Sequence, residues 1–330
     1  FLSVDFTKMV EFHKNNKSDA TLLTHPNSHP FDSDLVVVNN ENKVETFDSK
    51  ENVRNYDYKN LVNSGIYCFS PKVFDYVNEP KKYGLEKDVI SKMIINGDNV
   101  YSYHSTEYVK DMGTPERFYA VNDDYANGIS EQRNLSHKQK AIFLDRDGTI
   151  NVYIPFLVNK EKFELIDGAS EAIKKINSSD YLCIVVTNQP IIARGESSFE
   201  NLEDIHKRME TLLGRDGAYI DGLYFCPHHK DKGFPGEVPE LKFDCDCRKP
   251  KIGMLLEAVK DFNIDLSESV VIGDSTLDIK MAENANMKSI LVKTGQAGLD
   301  GKYDVTPTEV AEDLLDAVNI ILTKEERRRR

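Results

Sequence analysis

The feature that most constrains the fold is a short apolar run that ends in two carboxylates. Residues Ala141–Leu144 are followed by Asp145, Arg146, Asp147 and Gly148. Four apolar residues are too few for a helix and suit a central parallel strand whose two faces are both covered. An aspartate at the carboxyl end of such a strand lies where open α/β sheets bind ligands. Two carboxylates this close repel each other, so we expect a cation between them or a retained proton.

The same pattern recurs downstream, where apolar runs again end in polar residues. Tyr181–Val186 and Ser269–Ile272 are two further candidate strands, and Lys249 lies between them before a predicted helix. The polar residues that follow these two runs are Thr187, Asn188, Asp274 and, one helical turn beyond, Asp278. A single Asp-x-Asp-Gly is more often an ordinary acidic turn. Its repetition in this strand context instead predicts a parallel sheet with one active edge.

The remainder of this region alternates apolar runs with amphipathic segments, which predicts repeated βα units over residues 140–325. The predicted helices are Ala169–Ile176, Leu202–Leu213, Gly253–Phe262 and Thr276–Ala285. A charged helix end or tail is predicted over Lys324–Arg330.

A Cys-x-His pair and a Cys-x-Cys pair predict a structural zinc site. The expected ligands are Cys226, His228, Cys245 and Cys247. Thiolates and imidazole in a set of four suit tetrahedral zinc without an open position. The intervening loop, residues 230–244, has no periodic pattern of its own, so we expect the zinc ion to fasten it. His229 is the less favoured ligand, because the short Cys-x-His step favours His228.

Composition limits the partners of the chain. A net charge of −13 over 330 residues argues against general nucleic-acid affinity, so an anionic substrate needs local cations. Five cysteines, three of them close together, fit a metal site in a reducing compartment better than disulfides. With neither a transmembrane run nor a secretory signal visible, we expect a cytoplasmic protein without a membrane partner.

The motifs around Asp145, Thr187, Lys249 and Asp274 resemble, in type, order and strand context, the four motifs of the haloacid dehalogenase superfamily. The resemblance implies a Rossmannoid three-layer α/β/α fold and a phosphatase that forms an aspartyl-phosphate. Asp145 is then the nucleophile and Asp147 the general acid and base, while Thr187, Asn188 and Lys249 bind the phosphoryl group. Magnesium is expected on Asp145, the backbone carbonyl of Asp147 and Asp274. Asp278 is expected to support these ligands without binding the metal directly.

The cysteine cluster and the short spacing between motifs resemble those of one branch of this superfamily. That branch contains heptose 1,7-bisphosphate 7-phosphatases and histidinol-phosphatases. Arg194, in Ala193-Arg194-Gly195, favours the heptose enzymes, since an additional arginine suits a second phosphate. Arg248 is expected to bind phosphate as well. Pro190-Ile191 stands where Ser-Gly is usual in these enzymes. The resemblance therefore implies a small sugar-phosphate substrate, with histidinol phosphate or another sugar phosphate as alternatives.

Residues 1–126 resemble the carboxyl-terminal half of sugar-phosphate nucleotidyltransferases, and 127–139 are predicted to be a linker. The resemblance is carried by 63–67, 85–88 and the Gly-Thr-Pro turn after Asp111. It implies a partial α/β domain in which Asp111 is a vestigial metal ligand, although a polar turn residue is an equal alternative. The glycine-rich nucleotide loop is expected upstream of Phe1, in residues that complete the domain. A sugar-phosphate nucleotidyltransferase with an auxiliary second domain is the rival hypothesis from another class.

Overall fold

The computed structural model describes residues 1–329 and divides into two compact units. The first comprises Phe1–Ser136 and the second begins at His137. The first unit contains a five-stranded and a two-stranded sheet and the second a six-stranded sheet, and each unit has its own apolar core.

The first unit is a mixed α/β unit built on a five-stranded sheet. Its strands are β1 (Leu2–Ser3), β2 (Ala20–His25), β3 (Leu35–Val38), β4 (Val44–Asp48), β5 (Val62–Phe69), β6 (Val100–His104) and β7 (Tyr108–Val109). Its α-helices are α1 (Phe6–Asn15), α2 (Ser91–Ile95), α3 (Pro115–Ala126) and α4 (Ile129–Gln132). The sheet order is β4-β3-β5-β2-β6, with only β2 and β6 parallel, and β1 pairs with β7 separately.

The structure differs from the predicted linker over residues 127–139. Most of this segment packs within the first unit, where Ile129–Gln132 form α4. Leu135 is almost fully buried, and its N–H donates to the buried Glu107 carboxylate at 3.0 Å. The sequence of this segment does not indicate such packing, because the contact between Leu135 and Glu107 joins residues far apart in the chain and produces no local periodicity.

The second unit is a parallel α/β unit. Its strands are β8 (Lys140–Leu144), β9 (Tyr181–Asn188), β10 (Gly222–Cys226), β11 (Val270–Gly273), β12 (Lys288–Val292) and β13 (Glu309–Ala311). Its α-helices are α5 (Ala169–Asn177), α6 (Phe199–Arg215), α7 (Gly253–Phe262), α8 (Thr276–Asn284) and α9 (Leu314–Arg329). The four predicted helices are therefore present, within a few residues of their predicted ends.

All neighbouring strands of the second sheet are parallel, in the order β10-β9-β8-β11-β12-β13. The predicted α/β fold with a parallel sheet is confirmed. Strand β8 lies between β9 and β11, and Ala141–Leu144 have no exposed surface. This central position explains the unbroken apolar run, since neither face of β8 meets water.

Helix α5 illustrates how the pattern of the sequence produces the core. Ala169, Ala172, Ile173 and Ile176 recur at helical spacing and are all fully buried. The stripe packs against the sheet and α9, and the intervening polar positions face outward. Of the charged segment predicted at Lys324–Arg330, residues up to Arg329 continue α9, and Arg330 lies outside the described residues.

None of the helices in residues 1–329 combines the length and the apolar character needed to cross a bilayer.

Shortening a buried side chain of α5 tests this account of the core. We expect Ile173→Ala to lower the free energy of unfolding by about 2–5 kcal/mol, because transfer energy and packing are both lost. A urea titration of the whole chain followed by circular dichroism measures the change. Leu256→Ala is the control, since Leu256 on α7 is half exposed, and we expect a change within about 0.5 kcal/mol. Equal effects of the two substitutions would contradict the assigned core.

Candidate active site

Three carboxylates meet at the carboxyl edge of the second sheet. Asp145 follows β8 and Asp274 follows the neighbouring strand β11, while Asp278 lies in the first turn of α8. One oxygen from each side chain lies within 4.8 Å of the others. The adjacency of β8 and β11 thus joins residues that are 129 positions apart in the chain.

Lys249 lies among these carboxylates. Its Nζ is 2.9 Å from Asp145 Oδ1 and 2.6 Å from Asp278 Oδ1, and it also donates to the Val186 carbonyl at 3.1 Å. Burial opposes the charge of the ammonium group, but Asp145 and Asp278 raise the pKa of Lys249 above its ordinary value. The lysine is therefore a fixed positive charge in a buried site.

One lysine does not balance three buried carboxylates. Burial, together with the charges of Asp278 and Asp147, raises the pKa of Asp145 to about 7, against the opposing effect of Lys249. Burial and the same kind of repulsion raise the pKa of Asp274 to about 8. Asp274 Oδ2 accepts a hydrogen bond from the Gln296 N–H, but Oδ1 is buried without a partner. An unpartnered oxygen of Asp274 beside the carboxylates of Asp145 and Asp278 fits a hard divalent cation such as Mg²⁺.

Gly148 permits this close packing. Its φ is +84°, and a Cβ atom at this position would lie 2.2 Å from Asp274 Oδ2. Thr294 also donates to the Gly148 carbonyl at 2.6 Å. Only glycine leaves room for the turn after Asp147 to lie against Asp274.

The end of β9 is joined to the site through its polar residues. Asn188 exchanges hydrogen bonds with the Lys249 backbone, accepting from N–H at 3.0 Å and donating to the carbonyl at 3.3 Å. Gln189 Nε2 bridges Thr187 Oγ1 at 3.0 Å and Asp147 Oδ2 at 2.9 Å. Gln189 is not among the predicted site residues, although it directly follows Asn188 in the same polar segment.

The four predicted zinc ligands lie together. Donor atoms of Cys226, His228, Cys245 and Cys247 are within 4.8 Å of one another. The His228 Nδ1 to Cys247 Sγ distance is 3.2 Å and the Cys226 Sγ to Cys245 Sγ distance is 3.5 Å. His229 points elsewhere and contacts the Asp231 carbonyl. Three thiols and an imidazole converging in this way fit tetrahedral zinc.

The two arginines expected to bind phosphate lie on different loops. Arg194 has its Cζ 4.1 Å from the Phe156 ring centroid and 4.3 Å from that of Phe234, and it forms an ion pair with Glu196 at 2.8 Å. Arg248 Nη1 donates to the His228 carbonyl at 3.0 Å. Arg194 is therefore stacked between two aromatic rings, a contact that the sequence did not reveal.

Asp111, in the first unit, lies on the surface. It pairs with Arg117 at 2.6 Å and accepts from the Gly113 N–H at 3.0 Å. These contacts, the Arg117 hydrogen bond foremost, hold the pKa of Asp111 below its ordinary value. Within residues 1–329, Asp111 belongs to neither of the two clusters with metal-binding geometry.

Comparison with known proteins identifies the class to which this site belongs. The HAD-hydrolase-like family model matches residues 246–317, and the nucleotidyl transferase family model matches residues 1–128. The resemblances inferred for the two parts of the chain are confirmed. The second unit is thus a haloacid dehalogenase-like hydrolase unit.

Individual relatives narrow the class to a family. D-glycero-β-D-manno-heptose-1,7-bisphosphate 7-phosphatase of Haemophilus influenzae is 38% identical over 184 residues, which are 55% of this chain and 96% of the relative. The Pasteurella multocida protein of the same name is 43% identical over 186 residues, 56% of this chain and 97% of the relative. The chain belongs to the family of these phosphatases.

A solved structure agrees with this relationship. The D,D-heptose 1,7-bisphosphate phosphatase of B. bronchiseptica, in complex with magnesium and phosphate, is 30% identical to this chain. The match has a TM-score of 0.50 and covers 56% of this chain and 99% of that protein.

Gly195 provides a test of how the loop bearing Arg194 is held. Its φ is +72°, and a Cβ atom would lie 1.9 Å from the Gly236 carbonyl oxygen. We expect Gly195→Ala to separate the two loops, lowering stability by about 1–3 kcal/mol and speeding protease cleavage within residues 230–244. Gly301→Ala is the matched control, because Gly301 has φ +60° but nothing within 4 Å of the added Cβ. Equal effects of both variants would contradict a specific contact between the loops.

Proposed function

We propose that residues 140–325 form a magnesium-dependent phosphatase that removes the 7-phosphate of D-glycero-D-manno-heptose 1,7-bisphosphate. The observation that carries the proposal is the convergence of Asp145, Lys249 and Asp274 at one sheet edge. Membership of the 7-phosphatase family supports the substrate.

The proposed reaction has two displacement steps. An Asp145 carboxylate oxygen attacks phosphorus, and the bond from phosphorus to the sugar oxygen breaks as Asp147 gives that oxygen its proton. Asp147 then takes a proton from water as the water oxygen attacks the aspartyl-phosphate, releasing inorganic phosphate and regenerating Asp145. Lys249, Thr187 and Asn188 stabilise the charge on the phosphoryl oxygens.

Two metal ions complete the proposal. Asp145, the Asp147 backbone carbonyl and Asp274 would hold Mg²⁺, which supplies positive charge that eases the approach of two anions. Cys226, His228, Cys245 and Cys247 would hold Zn²⁺, which fixes the loop leading into Arg248 and Lys249. Asp278 supports the first site through its contact with Lys249.

Substrate choice within the family is a separate question. We propose that Arg194 and Arg248 supply the charge that recognises a second phosphate, which histidinol phosphate lacks. A phosphate-release assay with Mg²⁺ should give the highest kcat/KM on heptose 1,7-bisphosphate, compared as α and β anomers. Heptose 7-phosphate is the matched control that lacks only the second phosphate. A preference for histidinol phosphate would favour the alternative function.

The first unit suggests a second activity in the same chemical sequence. Removal of the 7-phosphate leaves a heptose 1-phosphate, the class of compound that sugar-phosphate nucleotidyltransferases activate. The match of residues 1–128 to the nucleotidyl transferase family model supports this connection. We propose that Asp111, paired with Arg117, is a vestigial metal ligand of that unit.

Replacement of the proposed nucleophile tests the mechanism. We expect Asp145→Asn to lower kcat by a factor on the order of 10³ or more, because an amide cannot form the acyl-phosphate. The fold should remain, which circular dichroism measures. Glu171→Gln, on the exposed side of α5, is the control and should retain full activity. Substantial turnover by Asp145→Asn would reject Asp145 as the nucleophile.

Replacement of one cysteine tests the zinc site. We expect Cys245→Ser to lose about one zinc ion per chain and to unfold at a lower temperature, since a hydroxyl is a poor substitute for thiolate. Metal analysis and thermal unfolding of the purified chain measure both effects. Cys183→Ser is the matched control, because Cys183 is buried in β9 outside the cluster. Unchanged zinc content in Cys245→Ser would contradict the assignment.

A further inference from the structure

The Asp147 carboxylate is held by three neighbouring side chains. Arg146 Nη2 lies 3.0 Å from Oδ1 and 2.8 Å from Oδ2. Asn151 Nδ2 donates to Oδ1 at 3.0 Å, and Gln189 Nε2 donates to Oδ2 at 2.9 Å. With a longer contact of 3.4 Å from Arg146 Nε, Oδ1 accepts three hydrogen bonds and Oδ2 accepts two. We call Arg146, Asn151 and Gln189 the Asp147 clamp.

The clamp residues are buried, whereas the carboxylate they hold is not. Arg146 and Asn151 have no exposed surface and Gln189 is 3% exposed, but the Asp147 side chain is 20% exposed. The clamp therefore holds Asp147 through buried side chains and leaves part of the Asp147 carboxylate accessible. This is the arrangement needed by a group that must meet a substrate in a defined orientation.

Arg146 is an unfavourable choice if stability alone is considered. A buried guanidinium is costly unless it is fully paired. Within the part of the chain that the structure describes, its hydrogen bonds go only to Asp147, and Nη1 has none. A buried donor without a partner costs about 1–3 kcal/mol. The presence of an arginine here is better explained by its contacts with Asp147 than by a gain in stability.

The backbone places the other two clamp residues where they are needed. After Gly148 the chain turns back, so that the Gly148 N–H donates to the Asn151 carbonyl at 2.8 Å and the Asn151 N–H donates to the Arg146 carbonyl at 3.1 Å. Gln189 extends from the end of β9, and its N–H is bound to the Cys226 carbonyl at 2.8 Å. Asp147 is thus fastened to its own turn and to the neighbouring strand.

We infer that Arg146 and Gln189 are positioning residues that aim the Asp147 carboxyl group at the leaving oxygen and later at the attacking water. The inference rests on the proposed function, in which Asp147 transfers both protons. Without the clamp the carboxyl group is free to turn about its side-chain bonds. Proton transfer then becomes inefficient, although the attack by Asp145 is unaffected.

Leaving-group dependence distinguishes this role from a structural one. An alkyl phosphate needs protonation of its leaving oxygen, whereas p-nitrophenyl phosphate has a leaving group that departs with little help. For Gln189→Leu and Arg146→Lys we expect kcat/KM to fall roughly tenfold or more on heptose 1,7-bisphosphate, a part of the 10²–10⁴-fold contribution of a general acid. On p-nitrophenyl phosphate we expect a fall of less than about threefold.

The two variants check each other. Gln189→Leu also removes the hydrogen bond to Thr187, but Arg146→Lys leaves Thr187 untouched and keeps the positive charge. If Arg146→Lys does not fold, Gln189→Leu decides the question. Asn177→Ala is the matched control, because it removes partly buried hydrogen bonds to the Tyr219 backbone far from Asp147 in the chain. It should lower the unfolding temperature without changing the ratio of kcat/KM values for the two substrates.

Two results would overturn the inference. Equal losses on both substrates mean that the clamp supports the fold only, and unchanged kinetics in both variants mean that Asp147 needs no clamp. Absence of turnover by the unaltered chain on either ester would be a different failure. It would contradict the proposed function, and the positioning role with it.

Discussion

The second unit depends on the ion contacts of one buried ammonium group. Lys249 lies between Asp145 and Asp278, and its Nζ also donates to the Val186 carbonyl near the carboxyl end of strand β9. Each of these partners comes from a different segment of the chain. Removing either charge from such a pair leaves the other buried and unpaired, which is far more costly than losing an exposed ion pair. The site is therefore held together by the same charges that give it its chemistry.

This arrangement also explains why the cysteine cluster precedes Lys249 so closely. Cys247 is separated from Lys249 by a single residue, and Asn188 binds the Lys249 backbone on both sides. The Lys249 backbone is consequently held both by Asn188 of β9 and by its proximity in the chain to the cysteine cluster. Residues 230–244 contain Gly233, Pro235, Gly236 and Pro239, so this loop has little regular structure of its own. Holding its end at the cysteine cluster limits the freedom of the Lys249 backbone. The position of the Lys249 ammonium group is therefore set by its backbone contacts as well as by its ion pairs.

Much of this could be predicted from the sequence because the informative residues lie at strand ends. The apolar run before Asp145, the similar run before Asp274 and the cysteine spacing are local signals, and the structure has the corresponding strands and the cluster. What could not be predicted was set by contacts between distant segments. The stacking of Arg194 between Phe156 and Phe234 joins three loops without any periodicity, and the burial of Leu135 depends on Glu107.

The repulsion expected between Asp145 and Asp147 is opposed by a separate cation beside each carboxylate. Each carboxylate has a cation of its own, Lys249 for Asp145 and Arg146 for Asp147. The two cations differ in a way that suits the proposed roles of Asp145 as nucleophile and Asp147 as proton donor. An ammonium group is a compact charge that stabilises an anion without fixing its orientation, whereas a planar guanidinium binds both oxygens of a carboxylate and so defines its plane. A nucleophile has to be free to approach phosphorus, and a proton donor has to be aimed. Under the proposed mechanism, Arg146, the residue between the two aspartates, therefore keeps the two neighbouring carboxylates in different environments.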